Sequence, residues 1–320
     1  MPDVTVVLCT YNRCQSLAKA LESVAASILP ESISWEVLVV DNNSTDRTCE
    51  VVDDFCRRYP GRFRYLFEPQ QGKSHALNMG IREAKGDILA FVDDDVRVGF
   101  TWLHNLTATL HNGEWAGVGG RILADWPCDP PSWLPQREWF GMAPLVIFDL
   151  ALEAGPLTDP PFGANMAFHR RMFEKHGMFR TDLGPGSNKK LHTNDDSEFG
   201  RRLLEAGEHL RYEPSAVVYH EVPTRRLQRE YFLTWWFNKG RADVCETSGA
   251  TDTRWSIRGI PLHLFRRIAV GTIRWMVTVA PQRRFSRKLA VWLVGGMMVE
   301  SYRQSKVVRK RRESFAGHRA

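Results

Sequence analysis

The sequence predicts an α/β protein with a mainly parallel sheet covered by helices on both faces, followed by a basic helical region. Three observations carry that prediction. Short β-branched apolar runs alternate with amphipathic helical stretches through the first hundred residues. The runs are apolar throughout, the pattern of strands buried on both faces. The composition then shifts from a mildly acidic body to a strongly basic last quarter. A chain of 320 residues has room for one large domain or two small ones, and we expect domains over 1–225 and 226–320.

The elements follow in order. Residues 4–9 form the first strand and end in Thr10-Tyr11-Asn12-Arg13, and 16–24 carry apolar residues at helical spacing. Residues 35–40 form the second strand and end in Asp41-Asn42-Asn43-Ser44. The helix after it has Val51, Val52 and Phe55 on one side. Residues 63–67 run into Glu68, a helix follows over about 74–84, and the strand 87–92 meets Asp93-Asp94-Asp95. Sheets of this kind bind ligands in the crevice outside the carboxyl ends of their strands. The polar clusters after strands one, two and four are therefore expected at one edge, as one site.

Beyond residue 100 the alternation loosens. Residues 117–123, 165–169 and 216–220 read as strands. Residues 196–206 read as a helix with Phe199, Leu203 and Leu204 inward and Gly207 as its stop. The stretch 126–161, rich in proline and aromatics, reads as an irregular, partly ordered region that helps to shape an acceptor side. From about residue 227 the chain turns helical and aromatic, with apolar stretches at 268–280 and 289–299. The first is interrupted by Arg274 and would rise about 20 Å as a helix, short of a bilayer core of roughly 30 Å. Neither stretch spans a membrane alone. Arg266, Arg267, Arg283, Arg284, Arg287 and Lys288 beside them suit helices lying in a membrane interface, although a small helical domain packed on the body fits the same pattern.

Charge and cysteine usage narrow the classes. Residues 254–320 hold 16 Lys or Arg against Glu300 and Glu313, so an anionic partner is expected, membrane or nucleic acid. The mixture of 43% hydrophobic and 25% charged residues excludes a disordered tail, a collagen-like fibre and a polytopic membrane protein. Six cysteines without C-x-x-C spacing argue against zinc and a disulfide framework, so a reducing cytoplasm is expected. Met1-Pro2-Asp3 leads straight into a strand, and no leader is expected.

Several residues carry chemistry in their own right. Carboxylates one residue apart at a strand end, as in Asp93-Asp94-Asp95, can bind a divalent cation while the residue between them turns elsewhere. A bound cation would also relieve the repulsion of three adjacent anions, while a solvated acidic turn is the plainer alternative. Asp41 can accept from a base N–H or a ribose hydroxyl, or cap the next helix as Ser44 or Asp46 could. Gly72 permits close backbone approach and Lys73 brings positive charge to a helix start, a combination that suits a diphosphate. Neither a P-loop nor a G-x-G-x-x-G follows a strand, which disfavours a dinucleotide oxidoreductase. Asp195 and Asp196 open a helix and His220 ends a strand, positions open to dipole stabilisation and core hydrogen bonding as well as to catalysis.

In combination these residues resemble the inverting, nucleotide-sugar-dependent glycosyltransferases of family 2. The ordered set is Thr10-Tyr11-Asn12-Arg13, Val39-Val40-Asp41-Asn42-Asn43-Ser44-Thr45-Asp46, Gly72-Lys73-Ser74-His75-Ala76-Leu77-Asn78-Met79-Gly80 and Ala84-Lys85-Gly86-Asp87. It continues with Phe91-Val92-Asp93-Asp94-Asp95, Gly163-Ala164-Asn165-Met166-Ala167, Asn194-Asp195-Asp196-Ser197-Glu198-Phe199 and Val218-Tyr219-His220. The resemblance covers about 3–225 and implies the GT-A fold, a Rossmann-like α/β/α sandwich with the nucleotide over the strand ends. It implies that Thr10, Tyr11, Arg13, Asp41, Asn43, Lys73 and Asp93 line the nucleotide and diphosphate site. Asp93 and Asp95 match the ends of a D-x-D motif, with Asp95, Asp93 and His220 as ligands of Mn²⁺ or Mg²⁺. Asp196 matches the general base, with Asp195 where the family more often has Glu, and Gly163, Asn165 and Asp195 serve donor or acceptor binding.

The implied reaction moves a sugar from a nucleoside-diphosphate donor, UDP expected and GDP or dTDP open, to a hydroxyl of a glycan or polyprenyl-linked acceptor. Its setting would be polysaccharide biosynthesis in the cell envelope, at the cytoplasmic face, with Arg309-Lys310-Arg311-Arg312 on an anionic membrane surface. The rival enzyme is a sugar-phosphate nucleotidyltransferase, whose glycine-rich first loop is missing here. A non-catalytic membrane or nucleic-acid binding protein is the rival from another class. The acidic body and the apolar stretches between the charges argue against nucleic acid.

Overall fold

The computed structural model describes residues 2–136, 138–184, 195–246 and 255–317, without the side chains of Trp139, Asp195 and 307–317. In chain order its elements open with β1 (Val4–Thr10), α1 (Cys14–Ala25), β2 (Trp35–Asp41), α2 (Thr48–Arg58), β3 (Phe63–Phe67), α3 (Lys73–Glu83), β4 (Ile88–Asp93), β5 (Val96–Val98) and α4 (Trp102–Ala108). They continue with β6 (Gly117–Asp125), α5 (Trp139–Met142), β7 (Gly155–Pro156), β8 (Asn165–His169), α6 (Arg170–His176), α7 (Asp195–Glu205) and β9 (Leu210–Glu221). The last are α8 (Arg229–Glu246), β10 (Ser256–Ile257), β11 (Ile260–Pro261), α9 (Leu262–Val277) and α10 (Pro281–Gly317). The chain divides into two compact units, Met1–Pro127 with Val146–Val222 and Cys128–Leu145 with Pro223–Ala320.

In the first unit the strands form one sheet in the order β3-β2-β1-β4-β8-β6-β9-β5, with β7 beside β9. The pairs β1–β2, β1–β4, β2–β3 and β6–β9 are parallel, while β8 runs antiparallel to β4 and β6, and β5 antiparallel to β9. The sheet is thus mixed and mostly parallel. Val6, Val7 and Leu8 of β1, Val37 to Val40 of β2 and Leu89 to Phe91 of β4 are buried on both faces, as their unbroken apolar sequence requires. α1 covers the sheet with Leu17, Ala20, Leu21 and Val24, one helical stripe. Each buried Val or Leu contributes about 1.5–3 kcal/mol relative to exposure.

Two features place the later residues. The strand expected over 216–220 is longer and begins at Leu210, because the sheet absorbs Pro214 in a bulge: Gly120 faces Glu213 while Arg121 faces Val217. Proline lacks the ladder donor and is tolerated at such an irregularity. The start of α7 is fixed from inside by Phe199, which is fully buried and stacked on Phe173 with ring centroids 4.4 Å apart and an interplanar angle of 2°. Phe91, Phe168 and Phe179 complete that aromatic cluster.

In the second unit α8 packs on α10 where Gly240 meets Leu293 and Gly296 meets Phe237, backbone against backbone. Trp236 is fully buried and donates to the carbonyl of Phe140 at 3.0 Å, and Trp133 meets Phe232 and Phe285. Arg241 pairs with the buried Glu300 at 3.1 Å. Among the described residues no helix is long and apolar enough to cross a membrane.

Candidate active site

Register brings the polar strand ends to one edge. Thr10 is the partner of Asp41 on β2, and Cys9 the partner of Asp93 on β4. Because β8 is antiparallel to β4, its first residue Asn165 stands opposite Val92, beside the acidic triplet. On the other limb of the sheet His220 of β9 is the partner of Val96, the residue directly after that triplet.

The loops at this edge are stitched together before any ligand is considered. The Asn12 amide donates to Ser44 Oγ at 2.9 Å, and the Thr45 amide donates to Asn12 Oδ1 at 2.7 Å. Asp46 accepts from the amides of Cys14 and Thr48, each at 3.0 Å, so one carboxylate serves the first turns of α1 and α2. Asp41 is buried and accepts from the Ser44 amide and from Tyr65 Oη, both at 2.9 Å. Burial and the neighbouring Asp41 carboxylate push the Tyr65 phenol upward, which keeps it a donor. Asn43 is exposed, with a left-handed φ of 65°.

The three carboxylates of the triplet face different partners. Asp93 accepts from Lys73 Nζ at 2.6 Å. Asp94 is buried and accepts from Thr10 Oγ1 at 2.8 Å and Arg13 Nη1 at 2.9 Å. Asp95 accepts from the same Arg13 nitrogen at 2.7 Å, and its Oδ1 lies 3.6 Å from Nε2 of the buried His220. Burial pushes the Asp94 carboxyl up to about 6; the Arg13 charge and the Thr10 hydrogen bond oppose this, and Asp95 and Asp93 add to it. Burial lowers the Arg13 guanidinium, but Asp94 and Asp95 outweigh it and raise it overall.

Lys73 sits at the start of α3 behind Gly72, whose φ of 137° only glycine adopts readily. Asn42 holds this loop: its Oδ1 accepts the Gly72 amide at 2.8 Å, and its Nδ2 donates to the carbonyls of Gln70 and Glu68. A helix start with a lysine at its first position suits a phosphate.

Asp196 reaches the same edge through Gly163. Its Oδ2 accepts the Gly163 amide at 2.5 Å, and its Oδ1 accepts the Ser197 amide at 2.7 Å. A Cβ on residue 163 would stand 2.9 Å from Asp196 Oδ2, so glycine is what permits this approach. Residues 185–194, with Asn194 of the predicted motif, and the side chain of Asp195 lie outside the described residues.

The expected residues thus separate into groups. Thr10, Arg13, Asp95 and His220 are linked through Asp94, and Lys73 pairs with Asp93 beside them, while Asp41 anchors the neighbouring loop and Tyr11 is exposed. Asn165 is fully buried, accepts from Trp102 Nε1 at 2.8 Å and donates to the carbonyls of Arg121 and Ala216, so its amide braces β8 against β6 and β9. Asp94 and Asn42 are organisers that sequence reasoning passed over. The burial of Asp94 is signalled only by its position between two other strand-end acids.

Among the described residues no three His, Cys, Asp or Glu side chains gather into a ready metal site. Asp95 and His220 nevertheless offer an oxygen and a nitrogen donor to one spot. Such a pair fits a cation whose shell is completed by substrate phosphate oxygens and water, the habit of Mg²⁺ and Mn²⁺.

Comparison with known proteins agrees with this geometry. The profile of Glycosyl transferase family 2 matches residues 5–177. Glycosyltransferase AglE of Haloferax volcanii is 35% identical over 127 residues, 40% of this chain and 41% of that protein, so the match spans under half of that relative. A glucosyl-dolichyl phosphate glucuronosyltransferase of the same organism is 28% identical over 239 residues, 73% of this chain and 74% of that protein. Among solved structures, the mannosyltransferase PcManGT of Pyrobaculum calidifontis, in complex with GDP-Man and Mn²⁺, superposes with a TM-score of 0.63 at 22% identity. That superposition covers 93% of this chain and 87% of that one. The sheet is that of the GT-A fold, and the chain belongs to glycosyl transferase family 2: it is a glycosyltransferase.

Proposed function

We propose that this family 2 enzyme transfers a sugar, with inversion, from a nucleoside diphosphate to a hydroxyl of a lipid-linked saccharide or glycan. The observation that supports it best is the convergence of Asp41, Lys73, the Asp93–Asp95 triplet, His220 and the Gly163-bound Asp196 on one sheet edge. In this reading Thr10, Tyr11, Arg13, Asp41 and Asn43 frame the nucleoside, and Lys73 meets the diphosphate at the start of α3, on the loop that Asn42 holds through the Gly72 amide. Asp93, now paired with Lys73, sets where that ammonium points. Asp95 and His220 would hold Mn²⁺ or Mg²⁺, which supplies positive charge at the leaving diphosphate. A GDP-Man and Mn²⁺ complex in a protein of this fold supports a nucleotide-sugar donor and a divalent ion.

Asp196 takes the proton of the acceptor hydroxyl as its oxygen attacks the anomeric carbon. The bond from that carbon to the diphosphate breaks on the opposite face, and one displacement inverts the centre. Help from a positioned base of this kind is worth on the order of 10² to 10⁴ in rate. The name of the glucuronosyltransferase relative supports a lipid-linked acceptor, and the basic C-terminal unit would meet the anionic surface that carries it. The test is Asp196→Asn. It should bind donor nucleotide in calorimetric titration with manganese as the parent does, yet lose transfer; wild-type transfer by this variant removes Asp196 as base. Titration with UDP, GDP and dTDP names the donor class, with UDP the expected carrier.

A further inference from the structure

Helix α9 presents apolar side chains on two faces. One is accounted for inside its own unit: Leu264 is buried, Trp275 meets Trp292 with ring centroids 6.1 Å apart, and a Cβ on Gly271 would touch Val291 of α10. The other is exposed. Leu262, Phe265, Ala269, Ile273 and Met276 recur every three or four residues along it, with Val277 and Val279 beside its end. Ile273, Met276 and Val277 are 61%, 65% and 67% exposed, and Trp255 is 77% exposed next to Leu262, whose amide donates to the Trp255 carbonyl.

The surroundings of this stripe say what covers it. Arg266, Arg267 and Arg274 on the helix, and Arg283 and Arg284 just beyond it, are all exposed. No Asp or Glu occurs between Asp252 and Glu300. A second copy of the chain on this face would bring two strongly basic segments without a single Asp or Glu together, at a Coulombic cost. A bilayer crossing is excluded by three arginines and by a helix of 16 residues, which rises about 24 Å. An anionic lipid surface satisfies both halves: it takes the apolar stripe at the acyl boundary and the arginines at the headgroups, with a tryptophan at the interface.

We propose that the exposed face of α9 docks the protein on an anionic bilayer, with the helix axis in the plane of the interface. The proposal deepens the reading of a lipid-linked acceptor, and its test needs no acceptor. Full-length protein is floated with phosphatidylcholine vesicles, with and without phosphatidylglycerol, at low and raised salt. Wild type should float with the anionic vesicles and less with the neutral ones. The double variant Ile273→Asp/Met276→Asp, at two exposed positions, should partition about ten-fold or more less strongly. Its thermal transition and its transfer to a water-soluble acceptor should match wild type, which separates lost docking from lost fold or lost catalysis.

Wild type that ignores anionic vesicles at low salt overturns the proposal, whether or not transfer occurs. A double variant that floats like wild type overturns it too, and hands lipid binding to the basic run Arg309-Lys310-Arg311-Arg312. A wild-type dimer in light scattering that the double variant dissolves, with no change in flotation, assigns the stripe to self-association instead. Should the double variant not fold, Arg266→Gln/Arg267→Gln/Arg274→Gln poses the same question through charge. Its preference for anionic over neutral vesicles should fall, and a preference equal to wild type refutes the docking face.

Discussion

Replacing Gly163 by alanine tests how the structure holds its proposed base. The added Cβ would stand 2.9 Å from Oδ2 of Asp196, 3.3 Å from its Cβ and 3.4 Å from its Cγ, so the carboxylate must move away. In moving it gives up the 2.5 Å hydrogen bond from the Gly163 amide. A hydrogen bond to a charged group is worth about 1.5–3 kcal/mol, and each 1.4 kcal/mol lost from the transition state is about ten-fold in rate. The expected result is kcat lower by about ten- to a hundred-fold. Donor nucleotide should bind as before, because the contact lies on the acceptor side of the proposed reaction. Parallel steady-state transfer assays and calorimetric titration read the two quantities separately. Unchanged kcat would show that the Gly163 contact does not position the base. A loss of nucleotide affinity equal to the loss of kcat would show that Asp196 belongs to the donor site instead.

Arg13→Met removes the guanidinium shared by Asp94 and Asp95, and it leaves Asp94 buried with Thr10 alone of its described partners. Chemical denaturation should show a loss of about 1–3 kcal/mol, which Arg13→Lys restores only in part because an ammonium is more strongly hydrated than a guanidinium and loses more on leaving water beside the buried Asp94. Phe199→Ala empties a ring stacked on Phe173 at 4.4 Å in a fully buried site. It should cost about 3–5 kcal/mol in denaturation experiments. Glu208 is held below its ordinary value of 4.5 by hydrogen bonds from Lys175 and His176. A depressed carboxyl adds stability above its unfolded value and loses it as pH falls through the folded one. Glu208→Gln should therefore flatten the decline of melting temperature below about pH 4.5, and an unchanged decline would remove Glu208 from the acid response.

The strand ends were legible because parallel strands buried on both faces leave one place for polar residues, and the sequence puts Thr10, Asp41 and Asp93 there. What sequence could not supply was partnership across long separations. Asn42 secures Gly72 from 30 positions away, and Arg13 meets Asp94 from 81. Alternation along a strand suggested that Asp94 turns away from the site. The chain leaves strand geometry at Asp93, however, and period two no longer governs the next two side chains. The apolar run suggests a strand over 216–220 only, and the pairing with Gly120 and Arg121 reveals that β9 passes through Pro214 in a bulge. The family resemblance implies a donor or acceptor contact for Asn165, yet the three hydrogen bonds of its side chain go to the scaffold.

The acidic triplet carries the physical lesson of the site. Three adjacent anions suggested from sequence that a bound cation relieves their repulsion. The protein meets part of that demand itself, with Lys73 on Asp93 and Arg13 shared by Asp94 and Asp95. The two cations are not equivalent. Lys73 meets Asp93 with a point charge on a four-carbon stem, whereas Arg13 bridges two carboxylates through one nitrogen of a planar guanidinium. Asp94, buried and held by Thr10, is the post to which that guanidinium is tied. Neighbours in sequence thus take different partners: Asp94 holds Arg13 and Thr10, Asp93 holds Lys73, and Asp95 shares Arg13 while its other oxygen lies beside His220. In the proposed reaction, the charge already fixed by Arg13 and Asp94 would need little rearrangement when a diphosphate binds, and that is where electrostatic catalysis gains over water.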